Sequence, residues 1–187
     1  MDIIMIRHGE SEDNMKKVFS AADTRLSENG IQQIKNTREK LKDYKFSKVY
    51  YSPLRRTVET HKHLELEGIE ESRIQELNFG IFTGMNFKEY TEKHPEESQA
   101  WTDDVFNYQI PEGESIIGVY NRLKTFLDEL VEKNEDVVLV THDGIIKLAC
   151  CWVFDKPDYF FKFKADNGSI TVIKINDGDK YINNLNI

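Results

Sequence analysis

Two kinds of segment alternate along this chain. Short apolar runs stop abruptly at polar loops, and longer stretches carry apolar residues three and four positions apart. Residues 2–6 (DIIMI) form a compact apolar run that ends at Arg7-His8-Gly9, which predicts a buried strand followed by a loop. Residues 47–51 (SKVYY) predict a second strand, and residues 136–141 (DVVLVT) are the clearest buried strand of all. Ser27 is a candidate helix N-cap, with Leu26 and Ile31 at staple positions, and Ile31, Ile34, Arg38 and Leu41 follow at helical spacing. Pro53 suits the first turn of a helix running to about Leu66. Ser115 is placed to cap a long helix whose apolar stripe is Ile116, Val119, Leu123, Phe126, Leu127 and Leu130. Another helix follows His142-Asp143-Gly144 and runs through Cys151.

The pattern is weaker elsewhere. Residues 77–113 mix Gly80, Gly84, Pro95, Pro111 and Gly113 with aromatics, which predicts loops and one or two short helices. Asn167-Gly168 and Asp177-Gly178 mark tight turns, and the alternating segment Ile170–Ile175 between them predicts antiparallel edge strands. Strand and helix otherwise alternate, which implies right-handed crossovers. The expected fold is an α/β class, three-layer α/β/α sandwich with a mostly parallel sheet and an antiparallel edge strand. A chain of 187 residues fits one domain, 1–187.

Charge narrows the function. The chain carries 25 Lys and Arg against 33 Asp and Glu, a net charge of −8. That acidity disfavours nucleic acid and anionic membrane surfaces, since both require a basic footprint. No apolar run is long enough for a membrane span, and the N-terminus has no basic region or cleavage site, so no signal peptide is expected. Cys150 and Cys151 are adjacent and build no disulfide framework. They read as small core hydrophobes, and a cytoplasmic location fits.

In a parallel sheet the ligand site lies beyond the carboxyl ends of the strands. His8 and His142 each sit just past such an end. Around them stand four clusters: Arg7-His8-Gly9-Glu10-Ser11 with Asn14; Ser52-Pro53-Leu54-Arg55-Arg56-Thr57; Glu76 through Gly80; and Thr141-His142-Asp143-Gly144. Arg7 offers a planar fork suited to phosphate oxygens. Gly9 lets the backbone come close to a ligand. The second cluster opens a helix, and a helix N-terminus with arginine nearby is an anion site.

These clusters, in this order, resemble the histidine phosphatase superfamily in its phosphoglycerate mutase-like branch. Arg7-His8-Gly9-Glu10 is similar to that family's first motif, with Asn14 at the usual offset. Ser52, Pro53, Leu54, Arg56 and Thr60 resemble its second motif. Glu76 with Gly80 and Gly84 resembles its acid-bearing segment, and Pro111, Gly113, Glu114, Ser115 and Arg122 the opening of its long helix. Thr141-His142 matches its second histidine. The resemblance implies a phosphomonoesterase acting on a small-molecule phosphate ester, with no metal and no cofactor. It implies that His8 is the nucleophile and becomes phosphohistidine, and that Glu76 protonates the leaving oxygen and then activates water. Arg7, Arg56 and His142 would bind the phosphoryl oxygens, and Asn14 would add a donor. Ser20 and Ala21 match a loop that touches substrate in relatives, and residues 77–113 would cap the active site as an insertion. An α-ribazole 5'-phosphate phosphatase is one such activity. Phosphoglycerate mutase-type phosphotransfer and a non-catalytic phosphate-binding module are the alternatives.

Other features weigh less. Arg55 reads as a surface ion-pair residue. Glu59 and His63 share a helix face, but a metal site there is the weaker reading, and His61 points elsewhere. Phe79, Phe82, Phe87, Tyr90, Trp101, Phe106 and Tyr108 are candidates to line the leaving-group pocket. Phe82 and Thr83 stand where many relatives carry tryptophan and an acid, and Thr57 and His61 where they carry small residues.

Overall fold

A single mixed sheet runs through the computed structural model, which describes all residues from Met1 to Ile187. Its strands are β1 (Asp2–Arg7), β2 (Lys48–Tyr51), β3 (Ile69–Glu70), β4 (Val137–Thr141), β5 (Ile170–Asn176) and β6 (Asp179–Asn184), in the order β3-β2-β4-β1-β5-β6. β1, β2, β3 and β4 are mutually parallel, while β5 runs antiparallel to β1 and β6 antiparallel to β5. The sheet therefore has two antiparallel pairings, and β5 alone runs against the other five strands. β5 lies inside the sheet and is buried along most of its length, and β6, paired antiparallel to it, forms the edge.

The helices are α1 (Glu12–Lys16), α2 (Glu28–Leu41), α3 (Arg55–Leu64), α4 (Phe87–Lys93), α5 (Pro95–Asp103), α6 (Ile116–Lys133) and α7 (Asp143–Phe154). The period-2 geometry of the strands divides their side chains between two helical layers. Ile4, Ile6, Val138, Val140 and Val172 face α2 and α3, where they meet Ile34, Leu41 and Leu64. Ile3, Met5, Val137, Leu139 and Ile173 face α6 and α7, and meet Leu123, Phe126, Leu127 and Trp152. Burying each such aliphatic side chain contributes about 1.5–3 kcal/mol. Both faces are covered, which explains why β1 and β4 read as continuous apolar runs.

Local chemistry sets the helix ends. Ser27 and Ser115 cap α2 and α6 by accepting the backbone N–H of Gly30 and of Gly118 at 3.0 and 3.1 Å. α3 is shorter than its sequence suggests. Leu54 is extended, and the Arg55 N–H donates to the Ala22 carbonyl at 3.0 Å, so Pro53 lies ahead of the helix rather than in its first turn. The helix ends at Leu64, followed by Glu65 in the left-handed region (φ 55°). Between Phe79 and Ile110 the chain builds a small aromatic cluster of its own around Phe82, Tyr90 and Ile110, with α4 and α5 as its two short helices.

Candidate active site

Strand register brings the two histidines together. Arg7 on β1 pairs with Thr141 on β4, so His8 and His142 are the next residues on adjacent parallel strands. Their rings lie 5.2 Å apart, edge to face. On the other side of β4, Tyr51 of β2 pairs with Val140, which places Ser52 beside His142. Three consecutive strand ends thus line one site, with His142 in the middle.

The tautomers follow from the hydrogen bonds. His8 Nδ1–H donates to its neighbour's carbonyl, Gly9 O, at 2.7 Å, which leaves the Nε2 lone pair free of a proton. Arg56 Nε–H donates to that Nε2 at 3.2 Å. Burial, then the charges of Arg56 and Arg7, hold the His8 pKa well below the usual histidine value, so the ring is neutral at pH 7. His142 Nε2 lies 2.8 Å from Ser52 Oγ. The Ser52 oxygen already accepts from Leu54 N–H at 3.4 Å, and its proton has no other acceptor, so the hydroxyl donates to Nε2. His142 therefore carries its proton on Nδ1, a buried atom with no protein partner. Burial and Arg56 also hold His142 well below its ordinary pKa.

Arg56 is only 2% exposed and has no carboxylate within ion-pair distance. Its Nη1 donates to Ala21 O at 3.0 Å. Burial lowers its pKa to about 10, which still leaves it charged at neutral pH. A buried guanidinium without an ion-pair partner is costly, and a bound anion offsets that cost. Arg7 donates from Nη1 to Ala165 O at 2.6 Å, and its buried Nε has no partner. Arg55, by contrast, pairs with Glu59 at 2.9 Å on the surface of α3. Glu59 also accepts Leu26 N–H at 2.8 Å, so its carboxylate is occupied. His61 stacks on Tyr51 at 4.2 Å.

Asn14 closes a capping box with Ser11 at the start of α1. Its Oδ1 accepts from Ser11 N–H and from Asn167 Nδ2 at 3.1 and 3.0 Å, which leaves the Asn14 amide hydrogens without protein partners. Asn167 also donates to His8 O at 3.1 Å. Ala21 faces the site through its carbonyl on Arg56, and its N–H donates to Asp13 Oδ2 at 3.0 Å. Ser20 is half-buried beside it.

Glu76 lies across from the histidines. Its Oε1 accepts Leu77 N–H at 3.1 Å, and its Oε2 accepts Gly144 N–H at 3.2 Å at the start of α7. Desolvation raises its pKa; Arg56 opposes that shift and Asp143 adds to it. Arg122 on α6 holds the backbone of this segment, donating to the carbonyls of Arg73 and Gln75 at 2.7 and 2.8 Å.

Two readings sharpen. The packing of α2 by itself requires glycine at position 9: a Cβ there would stand 2.4 Å from Gly30 O. Among the aromatics, Phe79, Phe87, Tyr90 and Trp101 line a cavity beside Glu76, while Phe106 and Tyr108 do not, and Phe82 is fully buried beneath it. Ser52 and Asn167 emerge as site residues that the sequence offered only as a motif serine and a turn. Their signal is positional, since each lies next to a strand end or loop that holds a histidine.

Residues 3–187 match the family model of the histidine phosphatase superfamily (branch 1). Phosphoserine phosphatase 1 of Hydrogenobacter thermophilus is 34% identical over 99% of this chain and 92% of its own length. The crystal structure of the α-ribazole phosphatase from Shigella flexneri superposes with a TM-score of 0.92 at 26% identity, covering 100% of this chain and 96% of that one. That of phosphoserine phosphatase from Entamoeba histolytica, in complex with 3-phosphoglyceric acid, superposes with a TM-score of 0.84 at 26% identity, covering 100% and 96%. The chain belongs to the histidine phosphatase superfamily. No helix is long and apolar enough to cross a membrane.

Proposed function

We propose that this protein hydrolyses small phosphate monoesters through a phosphohistidine on His8. The observation that carries the reading is the state of His8: a neutral ring, its Nδ1–H committed to Gly9 O, and its Nε2 lone pair beside Arg56. An arriving phosphoryl oxygen takes over the Arg56 Nε–H, which releases that lone pair for in-line attack on phosphorus. Arg7, Arg56, the Asn14 amide and the His142 Nδ1–H donate to the phosphoryl oxygens and stabilise the charge that builds there. Glu76, whose pKa burial raises, is the group placed to give a proton to the leaving oxygen as the P–O bond breaks. The resulting carboxylate then takes a proton from water, whose oxygen attacks the phosphohistidine. Phosphate leaves, and His8 and the Glu76 proton are restored.

In this reading residues 77–113 cap the site within one domain. Ala21 acts through its carbonyl as a support for Arg56, and Ser20 sits on the same loop at the rim. Arginine and histidine supply the charge neutralisation, so activity is expected in the presence of chelator. The buried, unpaired Cys150 and Cys151 suit a reducing cytoplasm. The phosphatase names of the relatives support hydrolysis over transfer.

The test is hydrolysis of p-nitrophenyl phosphate by wild type and His8→Ala, with chelator, from pH 5 to 8. Turnover that vanishes in His8→Ala, with an acid-labile phosphoenzyme trapped only in wild type, is expected. A well-folded wild type that traps phosphate on His8 but passes it to a second hydroxyl faster than to water would be a mutase. One that binds phosphate and turns over no ester would be a binding module.

A further inference from the structure

The leaving group has a defined place to go. A cavity of about 440 Å³ lies beside the phosphate cradle, and Glu76 belongs to both. Asp143 and Gly144 continue the Glu76 wall at the start of α7. Twelve of the seventeen lining residues are hydrophobic, so the cavity offers surface to an apolar body and few partners to a polar one. Its opposite wall is an aromatic stack: Phe19 lies 4.2 Å from Phe79 and 5.8 Å from Trp101, ring centre to ring centre. Phe87 and Phe161 form the rim and are 69% and 65% exposed, unusually open for phenylalanine.

Its polar groups exclude one class of occupant. The only cation in the lining is Lys147, and its Nζ is 2.5 Å from Asp143 and 5.5 Å from the Phe160 ring centre. That charge is already compensated. Glu76 and Asp143 bring two carboxyl groups. A second anionic group on the substrate would leave water here without a free cation to meet it, while an aromatic ring would replace water on surfaces that already favour it.

Resting on the hydrolytic reading above, we propose that this cavity holds the alcohol half of the substrate. The preferred substrates are phosphate monoesters of aromatic or otherwise apolar alcohols, selected against esters whose alcohol carries a carboxylate. A preference carried over from the relatives named for phosphoserine gives the opposite order, so the two are separable.

The experiment compares kcat/KM of wild type on 2-phenylethyl phosphate, glycerol 1-phosphate and O-phosphoserine, three esters of primary alcohols. The phenylethyl ester is expected to exceed glycerol phosphate by about tenfold or more, the factor that partial burial of one phenyl ring supports, and to exceed phosphoserine by more. Val105→Asp places a charge on the cavity wall and should reduce that ratio to about threefold or less, mainly by raising KM for the phenylethyl ester. Equal or higher kcat/KM on phosphoserine overturns the inference and leaves hydrolysis standing. Absence of turnover on every ester, p-nitrophenyl phosphate included, overturns the hydrolytic reading and this inference with it.

Discussion

Ser52 makes no contact with a phosphoryl group in the mechanism above, yet its loss should cost catalysis heavily. The Ser52 hydroxyl is fully buried and donates to His142 Nε2 at 2.8 Å. In Ser52→Ala that nitrogen loses its donor while it remains buried. Leaving such a group unsatisfied costs about 1–3 kcal/mol. Without the Ser52 donor nothing fixes the tautomer, and a proton on Nε2 removes the Nδ1–H proposed to meet the phosphoryl oxygen. Losing one such donor lowers kcat by roughly 10²–10³-fold. Stability should fall by the same 1–3 kcal/mol, which for a chain of this size lowers Tm by roughly 2–12 °C. Two assays separate the effects: kcat on p-nitrophenyl phosphate well below Tm, and long-range ¹⁵N–¹H correlation of the His142 ring. Wild type should show Nδ1–H, and Ser52→Ala a mixture or the Nε2–H form. A wild-type ring protonated at Nε2, or a folded Ser52→Ala with kcat within twofold of wild type, would refute the reasoning.

Glu76→Gln should lose about 10²–10⁴-fold on alkyl phosphates and far less on p-nitrophenyl phosphate, whose leaving group needs no proton; equal losses on both remove Glu76 from the acid role. Because burial raises the Glu76 pKa, activity on alkyl esters should fall as pH rises through that raised value, and the alkaline limb should disappear in Glu76→Gln. Gly144→Ala would put a Cβ 2.4 Å from Glu76 Oε1, forcing the carboxylate aside by about 1 Å; roughly 10–100-fold lower kcat on alkyl esters is expected with Tm nearly unchanged, and full activity would show that the carboxylate position is not critical. The depressed pKa values of His8 and His142 mean that the unfolded chain binds more protons than the native one below about pH 6.5. Stability from these two groups is present above that pH and lost as pH falls beneath it. Tm should therefore drop from pH 7 to 5 and drop less in His8→Gln; identical slopes would contradict a neutral buried His8.

The candidate cradle was far more legible in the sequence than the cavity beside it, and the reason is physical. Attack on phosphorus requires a basic nitrogen, fixed cations and a protonated acid. Few residue types supply these, and four motifs in family order mark Arg7, His8, Arg56, Glu76 and His142 as the candidates. β1 and β4 were equally plain, because a strand covered on both faces must be apolar at every position. β3 has two residues, both exposed, and no pattern to detect. The start of α3 depends on a hydrogen bond to Ala22, which no local rule contains. The contact of Gly9 with Gly30 of α2 likewise joins positions that no local rule connects. The cavity is the extreme case. Its walls ask only for apolar bulk, which Phe82 and Phe106 possess as fully as Phe79 and Trp101 do. Which of them face the cavity depends on how α4 and α5 close over the sheet. Val105, Phe160 and Phe161 join the lining from segments that a one-dimensional reading has no cause to connect. Reaction type is thus written in the kinds of atoms the chain carries, whereas substrate choice is written in which of many interchangeable side chains end up on the same wall. Relatives at 26–34% identity can share the first and differ in the second.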